Sequence, residues 1–104
     1  MRQYDPLKAP DPKEWLAVGE QERMDLAQDY HRRARIRLPN AKLHANMHAI
    51  VENQIALGDE TPARRVLQRL MDEGLDRHQA IHAIGKPYFA ALERLTAEDW
   101  LRSG

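Results

Sequence analysis

The sequence predicts an all-α fold, a small helical bundle of five to six short helices, and three observations lead there. Pairs of a capping residue and a proline, the local signal that opens a helix, occur at Asp11-Pro12 and Thr61-Pro62. Apolar residues between Ala41 and Leu57 recur at helical rather than alternating spacing. The β-branched residues never alternate over four or more positions, so no strand is expected.

Residues 1–10 (MRQYDPLKAP) hold two of the six prolines and no periodic pattern, which predicts an extended N-terminal arm ahead of a single helical domain over 11–104. Asp11 as N-cap and Pro12 at the first helical position start a short helix through Trp15, Leu16 and Val18, which Gly19 ends or bends. EQERMDLAQDYHRRARI follows, with acids early and arginines late, the order that complements a helix dipole. Met24, Leu26, Ala27 and Tyr30 supply its apolar face, and Leu38-Pro39-Asn40 breaks the chain. Ala41 to Leu57 is the strongest helix signal. At about 100° per residue, Leu43, Met47, Ile50, Val51 and Gln54 fall on one stripe, and Gly58 stops the helix. Thr61-Pro62 opens ARRVLQRLMDE, with Val66, Leu67, Leu70 and Met71 expected inward and Gly74 as terminator. Asp76 with Gln79 resembles a capping box for the next helix, which Lys86-Pro87 is expected to cut short. Tyr88 to Leu95 resumes the helical pattern, and Thr96 with Asp99 caps a last turn containing Trp100.

The bulk properties narrow the function classes. At 104 residues, with 42% hydrophobic and 31% charged side chains, the chain can bury one modest core beneath a dense polar surface. Sixteen basic and sixteen acidic residues cancel, so no global field steers the protein to nucleic acid or to an acidic membrane. The absence of cysteine leaves neither a disulfide framework nor a thiolate metal site, and suits a reducing compartment. No segment has the apolar core of a signal peptide or approaches the ~18 apolar residues of a membrane span, so a cytoplasmic location is expected.

The chemistry sits in two histidine-bearing segments. LHANMHAIVENQ places His44, His48 and Glu52 four residues apart, and DRHQAIHAIG places His78 and His82 at the same spacing. A helix puts i,i+4 residues on one face about one turn apart. Neutral imidazole is the commonest protein metal ligand, so two such pairs and a carboxylate make a candidate shell for a divalent metal: zinc, iron or manganese. On the Ala41 helix these residues lie beside the apolar stripe and drift toward solvent, while His78 and His82 flank Ala80, Ile81 and Ile84. Antiparallel packing of the two helices brings the rows together, as bundle metal sites require. The competing expectation is of half-buried boundary histidines bonded to Gln54, Gln79 or backbone carbonyls, since a single HxxxH arises often by chance.

The run from Glu14 to Gly85 resembles a family of small bacterial proteins classified as a domain of unknown function. The resemblance covers about two thirds of the chain and rests on HxxMHxxxExQ followed by HxxxHxI, matched by His44, Met47, His48, Glu52, Gln54, His78, His82 and Ile84. It implies a compact all-helical fold and a shared histidine-rich site, and brings no activity with it. After Gly85 the chain departs from the pattern. Family members continue the second histidine helix, usually with another acidic residue two turns past the last histidine, where this chain has Ala90.

HRRARIRL, with Arg32, Arg33, Arg35 and Arg37 near Lys42, is the one basic cluster and reads as a solvated helix C-terminus rather than a nucleic-acid contact. Trp15, Tyr30, Tyr88 and Trp100 suit core and docking roles. There is no Gly-rich phosphate loop, GxSxG elbow or HExxH, and the only serine is Ser103. The sequence thus predicts a helical protein binding a divalent metal through His44, His48, Glu52, His78 and His82. An open coordination position would let the metal activate water or bind oxygen, with Glu52 serving as base in place of ligand. The alternative is a non-enzymatic module with structural histidines, burying an apolar face against a partner or a second copy. The expected break at Gly85-Lys86-Pro87 predicts such self-association as a homodimer.

Overall fold

In the computed structural model, which describes residues 1–36 and 40–87, each segment between Pro12 and Ile84 that the sequence marks as helical is helical. The elements are α1 (Pro12–Ala17), α2 (Glu20–Arg33), α3 (Ala41–Ala56), a 3₁₀ turn (Gly58–Glu60), α4 (Ala63–Asp72) and α5 (residues 77–87). Among the described residues there is no strand, and no helix is long and apolar enough to cross a membrane. The segment 88–104, with Ala90, the expected helix from Tyr88 to Leu95 and the turn at Trp100, lies outside the described residues, as do Leu38 and Pro39.

The ends of the helices follow local chemistry. Asp11 Oδ2 accepts from the Glu14 N–H at 3.0 Å, and Asn40 Oδ1 accepts from the Leu43 N–H at 3.3 Å. The capping box ahead of α5 is complete: the Gln79 N–H donates to Asp76 Oδ1 at 2.7 Å and the Asp76 N–H to Gln79 Oε1 at 3.0 Å. Gly74, at φ 110°, lets the Leu75 N–H reach back to the Leu70 carbonyl at 3.2 Å and close α4. Gly19 is the N-cap of α2, and α1 already stops at Ala17.

α5 is helical through Lys86 and Pro87, the last described residues, so the expected break does not fall ahead of Pro87. A proline restricts its own φ and the residue before it and crowds the carbonyl four residues back. It leaves the turns already laid down ahead of it intact. Those turns are anchored by the capping box at one end and by Gly85 at the other. Gly85 is buried against the Met47 thioether, where an added Cβ would overlap Sδ.

α3 is the central helix and packs against α1, α2 and α4. One apolar cluster joins Met47, Val51 and Ile55 to Ala63, Leu67, Ala80 and Ile81; a second joins Ala45 and Ala49 to Tyr4, Trp15, Leu26 and Ala27. At about 100° per residue the buried positions of α3 sweep an arc of about 200°, from Met47 through His48 and Glu52 to Ala49. The expected stripe sits to one side of that arc, and its members Leu43, Ile50 and Gln54 are only half-buried. His48 and Glu52, expected at the solvent boundary, are 0% and 1% exposed at the centre of it. Apolar patterning points away from this face because the face is polar. On α4, Ala63 and Leu67 are buried, whereas Met71, expected inward, is 37% exposed. Asn53 ties the first three helices, its Oδ1 accepting from Trp15 Nε1 and from an Arg23 guanidinium N–H, both at 2.8 Å.

The α3–α5 contact yields a prediction whose sign separates two effects. Helix propensity alone favours Gly85→Ala by up to about 1 kcal/mol. Overpacking against Met47 costs about 1–3 kcal/mol and should win, so the variant should unfold at lower urea than wild type. A variant of equal or greater stability would contradict the packing.

Candidate metal centre

All five histidines of the chain converge on one point between α2, α3 and α5. His31 comes from the last turn of α2, His44 and His48 from the first half of α3, and His78 and His82 from the start of α5. Ring centroids lie 4.6 Å apart for His31 and His44, 4.7 Å for His31 and His48, 5.0 Å for His48 and His82, and 4.4 Å for His78 and His82. One ring nitrogen from each of His31, His48, His78 and His82 lies within 4.8 Å of all the others. His82 Nε2 is 3.0 Å from His48 Nε2 and 3.1 Å from His44 Nε2. Two nitrogens held at ~2.0–2.1 Å by one tetrahedral zinc stand about 3.3–3.4 Å apart, so the His48–His82 spacing is of the ligand–ligand kind.

The outer ring atoms fix which nitrogens face inward. His31 Nδ1 is 2.7 Å from the Ala27 carbonyl, which can only accept, so Nδ1 carries the proton and Nε2 presents its lone pair. The Nε2 atoms of His31 and His78 are buried with no hydrogen-bond partner among the described residues. A buried polar atom left this way costs of order 1–3 kcal/mol and demands an explanation. His48 Nδ1 lies 3.1 Å from the Tyr4 hydroxyl, which in turn donates to Glu52 Oε2 at 2.6 Å.

Glu52 is held from the other side as well. Arg77 donates from one guanidinium nitrogen to Oε1 at 2.7 Å and from the other to Oε2 at 2.8 Å, and also to the Pro6 carbonyl at 3.0 Å. Both partners are buried, 5% and 1% exposed as side chains. Burial works against the Arg77 charge, but the hydrogen bonds and charge of Glu52 outweigh it and raise the pKa further. Burial first, and then the Glu52 charge, push the Tyr4 phenol well above its ordinary value, so it stays protonated and donates.

Burial also keeps the imidazoles neutral. It pushes His44 and His82 down to about 4, with neighbouring imidazoles adding to the effect. His48 is driven down most strongly, by burial and then by His31 and His44. His31 is lowered by burial against the opposing pull of the Ala27 carbonyl, and His78 by burial and His31 against Asp76 and Asp5. Neutral imidazole is the metal-binding form, so the cluster is ready for a cation at neutral pH without releasing protons.

Of the five residues singled out by spacing, His48, His78 and His82 join the four-nitrogen group, and His44 touches its edge through His82. Glu52 is placed one shell away, with both carboxylate oxygens engaged by Arg77 and Tyr4. His31, Tyr4 and Arg77 were not anticipated. His31 had a signal: it follows Met24 by seven residues and Ala27 by four, on the inward face of α2. Arg77 had one too, since it shares a face with the buried Ala80 and Ile81. Tyr4, in an arm with no periodicity, had none. No family model matches the chain, and no curated protein or solved structure matches it either.

The lowered imidazole pKa values predict acid sensitivity. In the unfolded chain each histidine takes up a proton near pH 6.5, whereas His44 and His82 in the fold resist down to about 4. The unfolded state therefore binds more protons in that window, and stability is present above pH 6.5 and lost as pH falls toward 4. In chelator-treated protein the urea midpoint should drop between pH 7 and pH 5, where carboxylates stay largely ionised. A flat midpoint over that range would mean the imidazoles are solvated.

Proposed function

We propose that this is a metal-binding protein in which His31, His48, His78 and His82 hold one divalent ion, with zinc as the leading candidate. The observation that carries the reading is the convergence of every histidine in the chain on one cluster, with His31 and His48 buried, the rest half-buried, and two ring nitrogens orphaned among the described residues. Ordinary core histidines are distributed and each finds a partner. His31 Nε2, a lone pair buried without a hydrogen-bond partner among the described residues, is unfavourable unless something positive accepts it. The fixed protons on His31 Nδ1 and His48 Nδ1 supply the outer-shell orientation that metal-ligating histidines depend on.

The donor set bears on the metal. Four nitrogens and no carboxylate suit zinc, or iron, copper or nickel, better than manganese, which favours oxygen. Four protein ligands also fill a tetrahedral shell, the pattern of a closed structural centre rather than a catalytic one with an open position. The residues would then act as a clamp across α2, α3 and α5. On this reading the two histidine motifs, His44-x-x-Met47-His48 and His78 with His82, supply three of the ligands, and α2 supplies the fourth. His44 stands beside the shell as a neighbour of His82.

Elemental analysis of protein purified without an affinity tag tests this, and about one equivalent of metal is expected. Zinc at 100 times its Kd should stabilise the fold by about 2.7 kcal/mol, or raise Tm by about 10–20 °C for a domain this size. His31→Ala should abolish the shift while His44→Ala keeps most of it. If the tag-free protein holds no metal and its Tm ignores added zinc, iron and nickel, the cluster is structural and the protein is an interaction module.

A further inference from the structure

Tyr4 is the one side chain of the N-terminal arm that hydrogen-bonds to the imidazole cluster among the described residues, and the geometry around it determines where its proton goes. Both Glu52 oxygens accept from Arg77, which has only donors to offer, so Glu52 is an ionised carboxylate. The 2.6 Å contact from the Tyr4 hydroxyl to Glu52 has the length of a charge-assisted O–H···O⁻ bond. A phenol has one proton, and here it is given to Glu52. The longer, 3.1 Å contact to His48 Nδ1 must therefore run the other way, with His48 Nδ1–H donating to the phenol oxygen. His48 Nε2, 3.0 Å from His82 Nε2, is left as the lone pair facing the cluster.

The arm is docked through its backbone carbonyls as well. Arg77 donates to the Pro6 carbonyl at 3.0 Å, and Arg33 donates to the Tyr4 carbonyl at 3.2 Å. Tyr4 itself is 1% exposed, its ring packed against Trp15 and His48 at centroid distances of 5.5 and 5.9 Å. We infer that Tyr4 is a positioning residue for the metal centre: held by Glu52 and Arg77, its hydroxyl fixes the His48 proton on Nδ1, so that metal binding and docking of the arm are coupled. The coupling rests on the metal reading above; the hold on the His48 proton does not. Binding free energies are reciprocal. If undocking the arm weakens the metal by a given factor, the metal must resist undocking by that same factor.

Tyr4→Phe isolates the hydroxyl, because the ring and its packing remain. Three measurements test the proposal. In metal-free protein, nitrogen NMR of the imidazoles should show His48 protonated on Nδ1 in wild type and a mixture of both tautomers in Y4F. Zinc affinity, measured by chelator competition on folded protein, should fall by about 10–100-fold in Y4F, the usual loss when an outer-shell partner of a ligand is removed. Saturating zinc should slow amide exchange at Leu7 and Lys8 of wild type by a comparable factor and leave Y4F little changed. A purely structural Tyr4 would lower the metal-free Tm but move neither the tautomer nor the affinity. Should Y4F fail to fold, the wild-type tautomer and the zinc effect on arm exchange still decide the matter. Wild type binding zinc no tighter than Y4F, or zinc leaving wild-type arm exchange unchanged, overturns the role of Tyr4 alone. Wild type binding no zinc at all overturns the metal reading and the coupling with it.

Discussion

Glu52 on α3 and Arg77 on α5 form a two-pronged ion pair almost out of contact with water, and the polar interior is built outward from it. Burying two charges costs several kcal/mol per ion before their attraction is counted, so such a pair is weak evidence of stability in itself. What it supplies here is position. The guanidinium spans from α3 to the arm at Pro6, and the carboxylate accepts the Tyr4 O–H hydrogen bond, which in turn sets the proton on His48. Removing either partner would strand the other, at a cost of order 3–5 kcal/mol, with the arm and the orientation of His48 lost together.

The second consequence is an inverted central helix. α3 carries its most buried side chains at His48, Glu52 and Val51, and two apolar clusters flank the polar strip on either side. A polar strip in that position is tolerable only where each member has a partner, and low local dielectric raises the stakes for those that do not. The outer atoms of the strip, and of His31 facing it from α2, meet protein groups: Ala27 for His31, Tyr4 for His48, Arg77 for Glu52. Of the inner nitrogens, His82 Nε2 meets those of His44 and His48, while His31 Nε2 and His78 Nε2 are left without a partner among the described residues, and the proposed cation would supply one. Met47 against Gly85 closes the apolar side and lets α5 approach near enough to bring its two histidines in.

Much of this was legible in the sequence, and the exceptions share a cause. The caps at Asp11 and Asp76 and the stop at Gly74 are local signals, and the chain obeys them. The i,i+4 spacing placed His44 and His48 on one side of α3 and His78 and His82 on one side of α5, and the two rows meet. Their depth was misjudged because apolar patterning assumes the buried face is the greasy one. On α3 the strip at His48 and Glu52 is fully buried between apolar neighbours, whereas Leu43 and Ile50 are only half-buried. His31 was hidden inside a run of arginines that draws attention to charge. Tyr4 was invisible, since its role depends on a tertiary approach between residues 44 and 48 apart in the chain.

The most direct measurement is an anomalous difference map from crystals grown with zinc, collected at the zinc edge. The account predicts one strong peak at about 2.0–2.1 Å from a ring nitrogen of each of His31, His48, His78 and His82, with Glu52 still on Arg77 and Tyr4. A map with no peak in the cluster, or with the ion drawn onto Glu52 and away from His31, would contradict it.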